Sequence, residues 1–103
     1  MAWDIATNLQ ERTLSINGEF TIFSVADIRT RLQEALTTVD QLSVDLSGVT
    51  EIDTAGLQLM LLAKRKPGKT VGFCKHPDVV LRLMDLANLA QTLDDLLVMQ
   101  APQ

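Results

Sequence analysis

Among the 103 residues of this chain, the pair Asp53-Thr54 has the type and setting that chemistry would use. An aspartate just ahead of the apolar run Leu57, Leu59, Met60, Leu61, Leu62 and Ala63 can accept hydrogen bonds from the first free amides of a helix, so Asp53 is the expected N-cap. Thr54, Ala55 and Gly56 then make a first turn of small residues. They are expected to leave backbone amides and one hydroxyl accessible at the positive end of the helix dipole, where a phosphate is tolerated. Asp45, Glu51 and Asp53 gather carboxylates around the same loop, yet solvation and capping explain them as well as acid-base catalysis does. From spacing alone, Asp53 and Thr54 need do no more than start a helix.

The other reactive side chains assemble into nothing. Cys74 and His76 lie two residues apart with no second pair, so neither a zinc site nor a Cys/His nucleophile forms; Cys74 reads as a small apolar residue at a strand end and His76 as a loop residue before Pro77. The five glycines are scattered and make no phosphate loop or dinucleotide fingerprint. An enzyme is not expected, nor a metal or cofactor. A net charge of −4 argues against a general electrostatic footprint on nucleic acid, and a single cysteine forms no internal disulfide. No apolar run approaches the roughly 18 residues of a membrane span, and the N-terminus lacks a basic region followed by an apolar stretch. The expectation is one cytoplasmic domain over residues 1–103 with no membrane insertion and with protein partners.

The elements that must position Asp53 follow from periodicity. Leu42, Val44 and Leu46 alternate with Ser43, Asp45 and Ser47, a strand pattern that Gly48 is expected to break with a turn. The helix over 54–65 is apolar on nearly every side and is expected to be covered all round. Lys64, Arg65 and Lys66 offset the negative end of its dipole, and Pro67-Gly68 stops it. Upstream, Trp3 to Asn8, with Trp3, Ile5 and Thr7 on one face, and Thr13 to Ile16 predict a hairpin around Gln10-Glu11. It continues into Glu19 to Ile22 unless Asn17-Gly18 makes a bulge or a separate turn. Ser24 and Asp27 resemble a capping box for a helix whose buried face is Val25, Ile28, Leu32, Ala35, Leu36 and Val39 and whose outer face offers an Asp27–Arg31 pair. Thr70 to Cys74 reads as a strand, and Pro77 as the first position of a helix with Val79, Val80, Leu83, Met84 and Ala87 inside and Asn88 at its end. The segment from Leu89 to Met99 fits either a short edge strand or a last helical turn. Helices alternating with strands predict an α/β fold with helices packed on a mixed sheet.

Asp53-Thr54-Ala55-Gly56-Leu57, preceded by Val44-Asp45-Leu46-Ser47-Gly48-Val49 and by Gly18-Glu19-Phe20, resembles the STAS family, shared by sulfate transporters and anti-sigma factor antagonists. The resemblance covers essentially the whole chain and implies a mixed sheet of four to five strands. It also implies a non-catalytic module that binds protein partners through Asp53, Thr54, Ala55 and Gly56. In antagonists of the family the hydroxyl residue after this aspartate is phosphorylated by a partner kinase related to histidine kinases, which corresponds to Thr54. Family members often carry serine there and a second hydroxyl residue beside it; here Ala55 leaves one acceptor. The implied partners are a histidine-kinase-like serine/threonine kinase or anti-sigma factor and a phosphatase. Residues 19–23 and 54–59 look most like small STAS proteins of bacterial chemotaxis and signalling clusters. Other STAS proteins that the chain resembles sit constitutively on the ATPase of an ABC transporter for lipids, and the same helix start makes that contact.

Overall fold

Trp3–Asn8 (β1) and Thr13–Phe20 (β2) pair antiparallel, from Trp3 opposite Gly18 to Asn8 opposite Thr13, around a tight polar turn. The turn is closed by Asn8 Oδ1, which accepts the Glu11 amide at 3.2 Å, and by Arg12 in the left-handed region at φ 59°. The computed structural model describes residues 2–86. Ala87, Asn88 and the segment from Leu89 to Met99 lie outside the described residues.

From β2 the chain passes through Val25–Thr38 (α1) to Gln41–Ile52 (β3), then through Thr54–Lys64 (α2) to Thr70–Cys74 (β4) and on to Asp78–Leu86 (α3). The four strands form one sheet in the order β1-β2-β3-β4; β2, β3 and β4 run parallel and β1 is antiparallel at the edge. The expected α/β architecture and order of elements are those observed. Two successive parallel crossovers in one direction put α1 and α2 side by side on one face by the right-handed rule, and the two helices touch. That face receives Leu14, Ile16 and Phe20 of β2 and Leu42, Val44 and Leu46 of β3, all buried, whereas Ser43 and Ser47 on the alternate positions are exposed. From the helices, Ile28, Leu32 and Leu36 of α1 and Leu57, Leu59 and Met60 of α2 complete this core, and α3 packs on β3 through buried Val80 and Met84.

Several expectations are corrected. β3 does not turn at Gly48 but runs on to Ile52, because two register irregularities against β2, between Ser15 and Asn17 and between Gly18 and Glu19, absorb the extra residues. Gly48 serves close approach: a Cβ there would collide with the Asn17 side-chain oxygen. Of the alternatives open at Asn17-Gly18, continuation of the strand with irregular register on either side of the pair is the one observed, with Gly18 at φ 85° facing the Ala2 carbonyl, but β2 ends at Phe20 rather than Ile22. The capping box at Ser24 is not made, since its side chain bonds backward into the preceding loop. Arg31 turns from Asp27 to Glu34, at 4.0 Å, and to the Thr7 hydroxyl, at 3.0 Å, so it tethers α1 to β1. Pro77 stands just before α3, its carbonyl accepting the amides of Val80 and Leu81. Finally, α2 is not covered all round, because Leu62 is 55% exposed. Among the described residues no helix is long and apolar enough to cross a membrane.

Candidate functional site

The site forms where β2 and β3, the longest parallel pair, end together with Phe20 opposite Ile52. Each strand then delivers a short connection to the next helix. After β3 the connection is one residue, Asp53, with extended backbone at φ −127° and ψ −174°. Its Oδ1 accepts the amides of Ala55 at 3.0 Å and Gly56 at 3.2 Å, which is the expected N-cap. Its Oδ2 accepts the amide of Ile22 at 2.9 Å, a bond across 31 residues that ties the two connections together.

After β2 the connection is Thr21 to Ser24, and buried polar groups fix it. Ser24 Oγ accepts the Thr21 amide at 3.0 Å and donates to the Glu19 carbonyl at 2.8 Å, while the Thr21 carbonyl accepts the amides of Ser24 and Val25. Thr21 and Ser24 are both buried, and the two residues between them are turned outward, Ile22 61% and Phe23 86% exposed. Two large apolar side chains are thus held in water by a loop whose own hydrogen bonds fix it. Below them a shallow cleft of about 380 Å³ is bounded by Glu19, Phe23, Glu51, Asp53 and Val79.

The predicted site residues divide by burial. Thr54 is exposed, and its hydroxyl has no hydrogen-bond partner among the described residues; Ala55 is half-buried. Gly56 is buried, and its amide is taken by Asp53, so neither it nor Ala55 leaves an amide free for phosphate, contrary to expectation. What requires glycine at 56 is packing. A Cβ would run into the Phe20 carbonyl oxygen and meet Ile52 Cγ1 at 3.0 Å, so the absent side chain lets α2 start against the end of β2. Gly56 therefore shapes the site from beneath.

The three carboxylates are not one cluster. Glu51 and Asp53 share the cleft, but Asp45 sits in mid-strand, where it accepts the Ser47 amide at 2.8 Å and faces Lys75 Nζ at 3.5 Å; that amide bond, with Lys75 adding to it, holds its carboxyl below the usual range. Cys74 ends β4 as expected, its thiol within 3.6 Å of the Val44 carbonyl. Burial, and then the charge of Lys64, lower the pKa of His76. Among the described residues no group of three His, Cys, Asp or Glu side chains is placed to hold a metal.

Ile22 and Phe23 are the exposed residues that sequence reasoning missed: Ile22 was expected within the strand, and it is the end of β2 at Phe20 that sets the pair outside it. Val79, expected inside, is half-buried and packs against the core while edging the cleft.

A mixed sheet that ends in a carboxylate-capped helix start carrying an exposed threonine defines an α/β domain with its distinctive surface at one end of the parallel strands. A family model described as "Mlab, STAS domain" matches residues 3–99, and the chain belongs to the STAS family. The crystal structure of an anti-sigma factor antagonist from Mycobacterium paratuberculosis superposes with a TM-score of 0.69 at 18% identity, over 94% of this chain and 91% of that one, a likeness of fold. Among curated proteins none matches.

Proposed function

We propose that this chain is a non-catalytic regulatory module that docks a protein partner on the surface made by the start of α2 and the Ile22-Phe23 loop, and that phosphorylation of Thr54 switches the docking. The observation that carries this reading is the division of labour within Asp53-Thr54. Both carboxylate oxygens of Asp53 are engaged by backbone amides, while the adjacent Thr54 is exposed and its hydroxyl has no hydrogen-bond partner among the described residues. A partner kinase transferring a phosphoryl group from ATP to that hydroxyl, and taking up its proton, adds about −1.5 to −2 charge next to Asp53, which borders the same cleft as Glu51 and Phe23. A docked partner would have to desolvate that charge beside apolar surface and like charges, so docking weakens. The core is not involved, because Thr54 touches solvent. The kinase or anti-sigma factor and the opposing phosphatase, in a chemotaxis or other signalling pathway, are the partners this reading requires.

The exposed apolar pair supports a second reading. Ile22 and Phe23 are presented by a loop whose bonds do not involve Thr54, which suits permanent attachment to a partner such as the ATPase of an ABC lipid transporter. Mass spectrometry of the protein from its native cell separates the two. Phosphate on Thr54 at a level that changes with growth condition supports the switch; unmodified Thr54 under every condition, in protein that co-purifies with one partner in fixed ratio, supports attachment.

A further inference from the structure

Away from the helix start, α1 and α2 leave a cleft of about 300 Å³ between them. Its floor is Leu32 and Leu36 of α1 with Leu59 and Ala63 of α2, and Leu62 stands at its mouth. Arg29, Leu32, Gln33 and Leu36 line it from α1 at i, i+3, i+4 and i+7, and Leu59, Leu62 and Ala63 line it from α2 at i, i+3 and i+4, with Lys66 two residues past the end of that helix. The two helices link parallel strands in the same sense and therefore run parallel, so the groove is about 10 Å long, two helical turns.

Among the described residues the charges around it have one sign: Arg29, Arg65 and Lys66 line the groove and no carboxylate does, in a protein of net charge −4. None of the three makes an ion pair among the described residues. Arg65 and Lys66 also offset the dipole of α2, but Arg29 is the fifth residue of α1, away from the helix end where a cation would serve the dipole. An apolar groove two turns long with cations toward both ends is complementary to a helix with apolar anchors at i, i+3, i+4 and i+7 and carboxylates at either side.

We propose that the α1–α2 groove is a second docking site, for an amphipathic helix of a partner protein whose apolar stripe is flanked by carboxylates. It lies on the C-terminal half of α2, so a partner at the Thr54 surface and one in the groove contact different parts of the same helix, and groove binding is independent of the charge on Thr54.

The test uses the full chain and two synthetic peptides of about fifteen residues, near the length at which isolated helices become marginally stable. Both carry the same leucine stripe, one flanked by glutamates and the other by lysines, and binding is read by fluorescence anisotropy. The glutamate peptide is expected to bind and the lysine peptide not. Leu62→Asp, a change at a half-exposed position, should weaken binding about tenfold or more, and the double variant Arg65→Glu, Lys66→Glu should reverse the preference between peptides, with Thr54→Glu changing neither result. Equal binding of both peptides overturns the proposal. So does a monomer that binds neither peptide, which would mean the groove is filled from within the chain, and so does a dimer that dissociates on Leu62→Asp, which would make a second copy the occupant.

Discussion

Asp53 Oδ2 accepts the Ile22 amide at 2.9 Å while Asp53 Oδ1 caps α2, so one carboxylate joins the connection after β2 to the connection after β3. Asp53→Ala removes three hydrogen bonds from backbone amides and is expected to cost about 2 kcal/mol, a cap and one further bond. Thr54→Ala, which removes an exposed hydroxyl, should cost less than about 0.5 kcal/mol. Urea melts rank the two, and amide exchange in Asp53→Ala should speed up at Ile22, 31 residues away.

Gly56 and Gly48 make a contrasting pair. An added Cβ at 56 meets the Phe20 carbonyl, part of the backbone, whereas at 48 the obstacle is the far end of the Asn17 side chain, which can rotate away. Gly56→Ala is therefore expected to destabilise by about 1–3 kcal/mol and Gly48→Ala by clearly less, as read in the same melts. Equal costs would mean that Phe20 and α2 can separate freely.

The connection carrying Phe23 separates stability from binding. Ser24→Ala leaves the Thr21 amide and the Glu19 carbonyl without their buried partner and should cost about 1–3 kcal/mol. Phe23→Ala alters a side chain that is 86% exposed, so its melt should be unchanged while partner capture falls. Loss of stability in Phe23→Ala would assign that ring to the fold.

These pairs mark what the sequence made legible. Period-two alternation at Leu42, Val44 and Leu46 and the helical spacing from Ile28 to Leu36 announced the buried faces, and Asp53 ahead of an apolar run announced its cap, because each is a local pattern. The Asp53–Ile22 bond, the backward turn of Ser24 and the fit of Gly56 against Phe20 are contacts between segments distant in sequence or choices between alternative local bonds. Ser24 illustrates the second kind: its hydroxyl can serve either the helix after it or the loop before it, and the buried loop amide, which has no access to water, decides. Gly48 read as a strand end because its tolerance for Asn17 depends on pairing with β2, which no local pattern records.

Acid should reveal His76. Its pKa is lowered by burial and by Lys64, so near its ordinary value of 6.5 the unfolded chain binds the proton more readily than the folded one, and stability rises with pH through that window and is lost as pH falls below it. Asp45, lowered chiefly by the Ser47 amide, gives up its contribution only in stronger acid, below the ordinary 3.8. Denaturant melts of the protein between neutrality and mild acid should decline, and His76→Gln should flatten that decline without affecting the later loss.

The charge switch at Thr54 is tested most directly by the partner captured from native-cell extract on three immobilised forms of the protein: unmodified, Thr54→Gln and Thr54→Glu. The last two have side chains of nearly equal size, and only glutamate adds charge beside Asp53. The account predicts that Thr54→Gln retains most of the partner bound by the unmodified protein, and that Thr54→Glu loses it by tenfold or more, roughly 1.4 kcal/mol. Equal loss in both variants, or none in either, would contradict it.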